Sequence, residues 1–218
     1  MKSLIPSQSH NRKPFQVERI AFYSDAIIAI ASTLLILEFK IPPLGKDLSW
    51  AQIKMEYSGK LLVPILGLII SFYSISRLWM KHHALFEHII DYNKRLLVLN
   101  QFFLFFIMIL PVSTSFVLEY NNPWFLRFGF YFSNLGLCNL SYYMLHKTSI
   151  HAKNNLSSLP PEDIDIIKSN DRSLLTGLAF LSAGILALFT VKYFYYHFIL
   201  SALYGTSRRF HFYRKRLA

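Results

Sequence analysis

Residues 19–38, with the sequence RIAFYSDAIIAIASTLLILE, are the most informative part of the chain about its fold. It is apolar apart from its two ends, Ser24 and Asp25 near its start, and a Ser-Thr pair in its second half. A helix needs about 20 mostly apolar residues to cross the hydrocarbon of a bilayer, which is roughly 30 Å thick. Pro42 and Pro43 follow shortly after, and proline does not continue a helix. The stretch therefore predicts a membrane-spanning helix.

The composition of the whole chain agrees with a membrane protein. Of the 218 residues, 53% are apolar and 16% are charged, whereas about a quarter of a soluble domain is charged. Lysine and arginine number 23 against 12 acidic residues, a net charge of +11. In so apolar a chain this excess favours anionic lipid headgroups, not nucleic acid, as the partner. The single cysteine, Cys138, excludes an intrachain disulfide and a cysteine-rich metal site.

Five further apolar stretches follow the first, so the predicted fold is all-α with six transmembrane helices, one six-helix unit per chain. The spans occupy more than half of the chain and leave no room for a soluble catalytic domain. We also find no nucleophile–base pair, phosphate-binding glycine loop or paired carboxylates within the membrane, so the sequence does not predict an enzyme. The predicted spans are Ile20–Phe39, Leu61–Met80, Leu96–Leu118, Trp124–Leu145, Leu174–Val191 and Tyr193–Tyr204.

Charge predicts the orientation of these spans. With six spans, about three quarters of the 23 lysines and arginines fall on the side that holds both termini, which the positive-inside rule assigns to the cytoplasm. The predicted organisation is a cytoplasmic segment at 1–16, a channel-forming unit at 17–206 with its pore helix at about 20–39, and a basic cytoplasmic tail at 207–218. Within the connection before span five, a separate short amphipathic helix is predicted around Ile164. The expected location is the plasma membrane.

Asp25 is the most informative polar residue of the first span. A carboxylate inside a membrane helix costs a few kcal/mol unless it is paired or hydrogen bonded. It is either an interfacial acid paired with Arg19, or part of a buried polar cluster with Ser24 that fixes the helix against its neighbours.

A second pattern on this helix consists of Ala26, Ile30, Thr33 and Leu37, at helical spacings of 4, 3 and 4. Periodicity alone favours buried packing inside one subunit. The alternative is that identical helices meet around an axis. With four copies, Thr33 would then form a polar ring between apolar rings of Ile30 and Leu37, and apolar constrictions gate pores by excluding water.

Three motifs resemble those of the prokaryotic and lysosomal potassium channels named for transmembrane protein 175. The family signature is Arg, three residues, then Phe-Ser-Asp, with a Leu-Glu pair at the end of the helix. Here it reads Arg19, then Tyr23-Ser24-Asp25 and Leu37-Glu38, with tyrosine in place of phenylalanine. The other two motifs are WMKHHALF at 79–86 and the third-span residues Leu99-Asn100, Leu110-Pro111, Thr114 and Glu119-Tyr120.

The resemblance implies a homotetramer whose first helices line a central pore for potassium. Carried over to this chain, the pore-lining positions are Ile30, Thr33 and Leu37. The signature motif is implied to brace the helices through hydrogen bonds. The candidates for this bracing network are Arg19, Tyr23, Ser24 and Asp25 of the first helix, with Trp79, His83 and Asn100 as partners.

The predicted function is therefore a potassium-preferring cation channel. No Thr-Val-Gly-Tyr-Gly loop is present, so an apolar constriction with a threonine ring replaces a filter of backbone carbonyls. The expected partners are further copies of the chain, membrane lipid and potassium, which is the permeant ion; no cofactor or metal is expected. Two alternatives are a proton-coupled secondary transporter that uses Asp25 as a relay, and a non-conducting scaffold.

Overall fold

The computed structural model describes residues 12–39, 49–118, 123–151, 155–158 and 164–189. Its described part is all-α, as predicted from the sequence, with one isolated antiparallel bridge between Ile89 and Ser157. The predicted sixth span, the N-terminal residues 1–11 and the basic tail at 207–218 lie outside the described residues. The five helices are α1 (Arg12–Leu37), α2 (Trp50–Phe86), α3 (Lys94–Leu118), α4 (Trp124–Ile150) and α5 (Ile164–Phe189).

Two of the predicted boundaries are wrong. Residues 50–60 were expected to be part of a connection, but α2 begins at Trp50 and runs for 37 residues. The separate amphipathic helix expected around Ile164 is instead the first part of α5, which continues without a break to Phe189. An apolar scan detects the length that fits in hydrocarbon, and a helix continues beyond it where no proline intervenes.

α1 also begins earlier than its apolar stretch, at Arg12, within the segment 1–16 that the sequence assigned to the cytoplasm. Pro14 lies in the first turn of α1. A proline is tolerated there because the N–H groups of the first turn have no intrahelical partner.

α3 is the central helix and contacts α1, α2 and α4. Its buried side chains recur every three or four residues, which places one continuous face against the other helices. α4 and α5 form the most extensive helix pair. The buried face of α3 consists of Leu96, Asn100, Phe103, Leu104, Ile107, Leu110, Pro111, Ser113 and Thr114.

Glycines allow α4 and α5 to approach closely, as Gly177 and Gly184 predict for span five. A methyl group placed on Gly136 would lie 2.7 Å from the backbone nitrogen of Leu181 and 2.9 Å from the carbonyl oxygen of Gly177. On Gly184 it would lie 2.7 Å from the backbone nitrogen of Ser133. Such separations are below van der Waals contact, so the interface requires the absence of side chains at these positions.

Three of the described helical segments are long and apolar enough to cross a membrane: Phe15–Leu37, Lys94–Leu118 and Asn170–Phe189. The sequence predicted six spans. α4 is a continuous helix, but its apolar sequence is interrupted by buried polar side chains, among them Asn134 and Asn139.

Candidate functional site on the first helix

α1 has an inward and an outward face. Its buried side chains, Val17, Ser24, Ile28, Ala31 and Leu35, recur at helical spacing and pack against α2 and α3. Ser24 is the only polar member of this face, and its exposed fraction is 0%. The inward face therefore includes one hydroxyl group that needs partners inside the protein.

The outward face includes the stripe that the sequence singled out. Ile30 is 59% exposed and Leu37 is 71% exposed, and Ala26 and Thr33 are exposed as well. Packing inside one subunit, which periodicity alone favoured, is therefore wrong for this stripe. The physical reason is that another set of residues two positions away, beginning at Ser24, occupies the packing face, and two residues turn a helix by about 200°.

Thr33 presents an acceptor on this outward face. Its hydroxyl donates to the carbonyl oxygen of Ile30 at 2.8 Å. Since a hydroxyl has one hydrogen and two lone pairs, the hydrogen is used within the helix and the oxygen keeps an acceptor position for an outside group. A cation is one group that such an oxygen suits.

A directional chain of hydrogen bonds joins α1, α2 and α3. The Nε2 atom of His82 lies 2.9 Å from Oδ1 of Asn100. Nδ2 of Asn100 donates to Oγ of Ser24 at 2.9 Å. Oγ of Ser24 in turn donates to the carbonyl oxygen of Ile20 at 2.8 Å. Because Asn100 Oδ1 can only accept, His82 must be protonated on Nε2. The chain fixes both the amide orientation of Asn100 and the tautomer of His82.

The rings around His82 hold it in place. It is 1% exposed, and it stacks on Phe86 at a centroid distance of 4.3 Å and on Phe103 at 5.3 Å. Asn100 is 0% exposed. Both polar side chains are thus enclosed by apolar and aromatic groups. In such surroundings a polar atom without a hydrogen-bond partner lowers the stability of the folded state most.

Asp25 lies beside this chain and has a different partner. The indole Nε1 of Trp79 donates to Asp25 Oδ1 at 2.9 Å, and the Trp79 ring stacks on His83 at a centroid distance of 5.5 Å. Trp79 is 39% exposed, so this contact lies at the protein surface. The carboxylate that the sequence singled out is therefore held between α1 and α2.

The structure brings some of the predicted network residues together and leaves others apart. Ser24, Asp25, Trp79 and Asn100 make the hydrogen bonds above, and His83 joins through its stack on Trp79. Arg19 and Tyr23 are exposed, and among the described residues no hydrogen bond or ion pair joins them to the network. The alternative pairing of Asp25 with Arg19 is not found among the described contacts.

Sequence reasoning missed His82, choosing its neighbour His83 as the buried partner. The signal was available in the spacing of α2, where Ser71, Ile75, Leu78 and His82 are buried at intervals of 4, 3 and 4. Continuing this face from the apolar residues reaches His82 and not His83.

A second polar cluster, also missed, links α2, α3 and α4 farther along the bundle. Ser71 Oγ lies 2.9 Å from the hydroxyl of Tyr131 and 2.9 Å from that of Thr114. Nearby, Asn134 Nδ2 donates to Ser113 Oγ at 3.3 Å. Within the described residues no three His, Cys, Asp or Glu side chains are grouped so as to hold a metal ion.

Long apolar helices, joined by buried polar contacts and carrying an exposed apolar stripe, define an integral membrane protein of the helical class. Comparison with known proteins is consistent with this class. The family model for the endosomal/lysosomal potassium channel TMEM175 matches residues 19–111. That segment contains the whole stripe of α1 and every residue of the His82–Asn100–Ser24 chain.

Relatives match over just under half of this chain. A potassium channel of Chryseobacterium sp. (strain P1-3) is 30% identical over 99 residues, which are 45% of this chain and 47% of the relative. The endosomal/lysosomal proton channel TMEM175 of Homo sapiens is 32% identical over 111 residues, 46% of this chain and 21% of the relative. The chain thus spans about half the length of the bacterial relative that it matches, and about a fifth of the human one.

A solved structure extends the likeness to the fold. The crystal structure of a lysosomal potassium-selective channel TMEM175 homolog from Chamaesiphon minutus superposes with a TM-score of 0.65 at 22% identity, covering 88% of this chain and 97% of that chain. Residues 19–111 of the chain are therefore similar in sequence to the TMEM175 family.

Proposed function

We propose that this chain is a potassium-preferring cation channel in which four copies surround a central pore lined by α1. The observation that carries the proposal is the exposed stripe of Ile30, Thr33 and Leu37, opposite the face of α1 that packs on α2 and α3. The potassium channel named among the relatives and the family model support it. The human relative is named a proton channel, so protons are a second ion to test.

The stripe has the composition of a constriction without a carbonyl filter. Ile30 and Leu37 are seven residues apart, about 10 Å along the helix, and Thr33 lies between them. Four copies would give two apolar rings that force an ion to shed water, with four hydroxyl oxygens between them. Sodium holds its water more tightly than potassium, so this arrangement favours potassium.

The remaining parts of the proposal concern assembly and place. One six-helix unit per chain and cytoplasmic termini are supported by the apolar stretches and by the bias of lysine and arginine toward one side. The homotetramer and the plasma-membrane location complete the proposal, because a pore lined by α1 needs several copies of this helix in one membrane. Lipid and potassium are the expected partners, without nucleic acid or a cofactor.

The decisive experiment measures the reversal potential of the purified protein in a planar bilayer, with potassium on one side and sodium on the other. A unitary current that reverses toward the potassium potential is expected. Absence of current from verified tetrameric protein, together with saturable counter-ion-driven uptake, would instead indicate a carrier that uses Asp25. Absence of both a current and uptake would indicate a non-conducting scaffold.

Replacing Thr33 by valine, which keeps the branched shape and removes the hydroxyl, is expected to move the potassium-to-sodium permeability ratio toward one. The reason is that the oxygen between the apolar rings is lost while the width is kept. The measurement is the reversal potential under the same bi-ionic conditions.

Ser32→Ala is the matched control for Thr33→Val. The Ser32 hydroxyl also donates to a backbone carbonyl, that of Ile28 at 2.8 Å, but Ser32 lies off the exposed stripe. Its variant is expected to keep the wild-type ratio. An unchanged ratio in Thr33→Val would contradict the threonine ring.

A further inference from the structure

A cluster of basic side chains lies where α2, α4 and α5 meet. Lys81 is one residue past the predicted end of span two, and His146 one residue past that of span four. Lys81 Nζ donates to the hydroxyl of Ser173 on α5 at 3.1 Å and lies 5.5 Å from the ring centroid of Tyr142 on α4. Three helices thus contribute to the surroundings of one ammonium group.

Tyr142 holds the cluster together. Its hydroxyl donates to the carbonyl oxygen of Lys81 at 3.0 Å, and its ring lies 5.8 Å from the ring of His146. His146 is 7% exposed, and its Nδ1 atom has no hydrogen-bond partner among the described residues. A buried polar atom without a partner costs free energy unless a ligand or water satisfies it.

The charged members of the cluster, Lys81 and Arg172, are both positive, and His146 is a neutral ring beside them near pH 7. Burial, and second the nearby charge of Arg172, lower the pKa of Lys81 to about 8. Burial lowers the pKa of His146 to about 4, with Lys81 as the second cause. The acidic residues nearest along the described helices, Glu87 and Asp171, are exposed. The cluster therefore has an excess of positive charge, held partly away from water.

We propose that Lys81 and His146 form a binding site for a phosphate group, with Arg172 at its exposed edge. The ammonium of Lys81 has three hydrogens, of which one is directed to Ser173, and Nδ1 of His146 is unpaired. Lys81 is half-buried and Arg172 is exposed, so the site is open to the surface at one end and closed by His146 at the other.

A phosphate is the anion that this position favours. The predicted ends of spans two and four place Lys81 and His146 at the lipid headgroup level, where phosphate is the common anionic group. The same chemistry is offered by the headgroup of an anionic lipid and by free inorganic phosphate. The site shares no residue with the α1 stripe, so it stands or falls separately from the proposed channel function.

The test compares thermal unfolding of the full chain in nanodiscs of phosphatidylcholine with and without phosphatidic acid. Phosphatidic acid is expected to raise the Tm of the wild type by about 5 °C, as a ligand that binds only the folded state does. Lys81→Met is expected to lose this gain. A parallel series adds inorganic phosphate to pure phosphatidylcholine nanodiscs, and a gain there alone identifies the free anion as the ligand.

Lys147→Met is the matched control, because Lys147 also lies over a tyrosine ring, that of Tyr143 at 5.6 Å, but is exposed. The Lys147→Met variant is expected to keep the full rise in Tm on addition of phosphatidic acid. His146→Phe, which keeps a packed ring, is expected to lose this rise in Tm. It replaces Lys81→Met as the test variant if Lys81→Met does not fold. Equal gains in wild type and Lys81→Met, or no gain with either phosphate source, would overturn the site.

The pH dependence of stability gives a second readout. Folded Lys81 releases its proton near pH 8, whereas the unfolded chain holds it to about 10.5. Between these values the unfolded state binds more protons, so raising the pH stabilises the folded state. In phosphatidylcholine, the Tm of the wild type relative to Lys81→Met is expected to rise from pH 8 to pH 10. Phosphatidic acid is expected to abolish this rise, and a rise that persists with it would contradict the site.

Discussion

Replacing Asn100 by leucine is expected to lower the free energy of unfolding by about 2 kcal/mol. Leucine is close to asparagine in size, but it removes both the acceptor for His82 Nε2 and the donor to Ser24 Oγ. The N–H of His82 is then left without its partner among aromatic rings. Reversible unfolding in mixed micelles of a mild detergent and dodecyl sulfate measures the change.

Gln101→Leu is the control for this variant, because Gln101 is the next residue of α3 and is exposed. It is expected to leave the unfolding midpoint unchanged or to raise it. A double-mutant cycle with Ser24→Ala isolates the bond: the two changes together are expected to cost less than the sum of the single changes. Additive effects would mean that the Asn100–Ser24 contact contributes nothing to stability.

Substituting alanine for both Gly136 and Gly184 is expected to destabilise the protein by about 3 kcal/mol. Each new methyl group would meet backbone atoms at 2.7 Å, Leu181 N in one case and Ser133 N in the other. Backbone does not rotate away as a side chain does, so α4 and α5 must separate. The loss exceeds the gain of about 1 kcal/mol per residue that alanine brings to a helix. Thermal unfolding in detergent measures it.

Gly67→Ala is the matched control within α2. A methyl group there would meet only Cδ2 of the Leu118 side chain, at 3.0 Å, and the end of a leucine side chain can move. This variant is expected to be neutral or slightly stabilising, because the helix propensity of alanine is then not opposed. A double alanine variant as stable as the wild type would show that α4 and α5 do not require the close approach.

The apolar stretches predicted where the helices lie, but not how far they extend. The spacing of Ile30, Thr33 and Leu37 grouped them on one face of α1, but periodicity alone favoured packing inside one subunit, and only the alternative of an inter-subunit axis placed this face outward. The extension of α2 back to Trp50 was missed because its sequence there is polar, and polar residues form helices outside hydrocarbon as readily as apolar ones do inside it.

Polar pairing inside the bundle was the least predictable part. Ser24 and Asn100 were named from the resemblance, whereas the pairing of Ser71 with Thr114 and Tyr131 depends on the rotation of three helices relative to one another. The hydroxyl of a serine or threonine in a membrane helix can donate to a backbone carbonyl of its own helix, as that of Ser32 does to Ile28. Their presence in the sequence therefore does not tell which of them bond across helices.

The hydrogen-bond chain from His82 to Ile20 has a consequence for proton movement. A proton wire needs each member to accept a proton on one side and release one on the other. The amide of Asn100 does not do this, and the chain ends at the Ile20 carbonyl, which has no hydrogen to pass on. The indole that pairs with Asp25 is a donor alone. These polar contacts of the described residues therefore do not form a proton wire, and a proton would not be passed along them from α2 to α1.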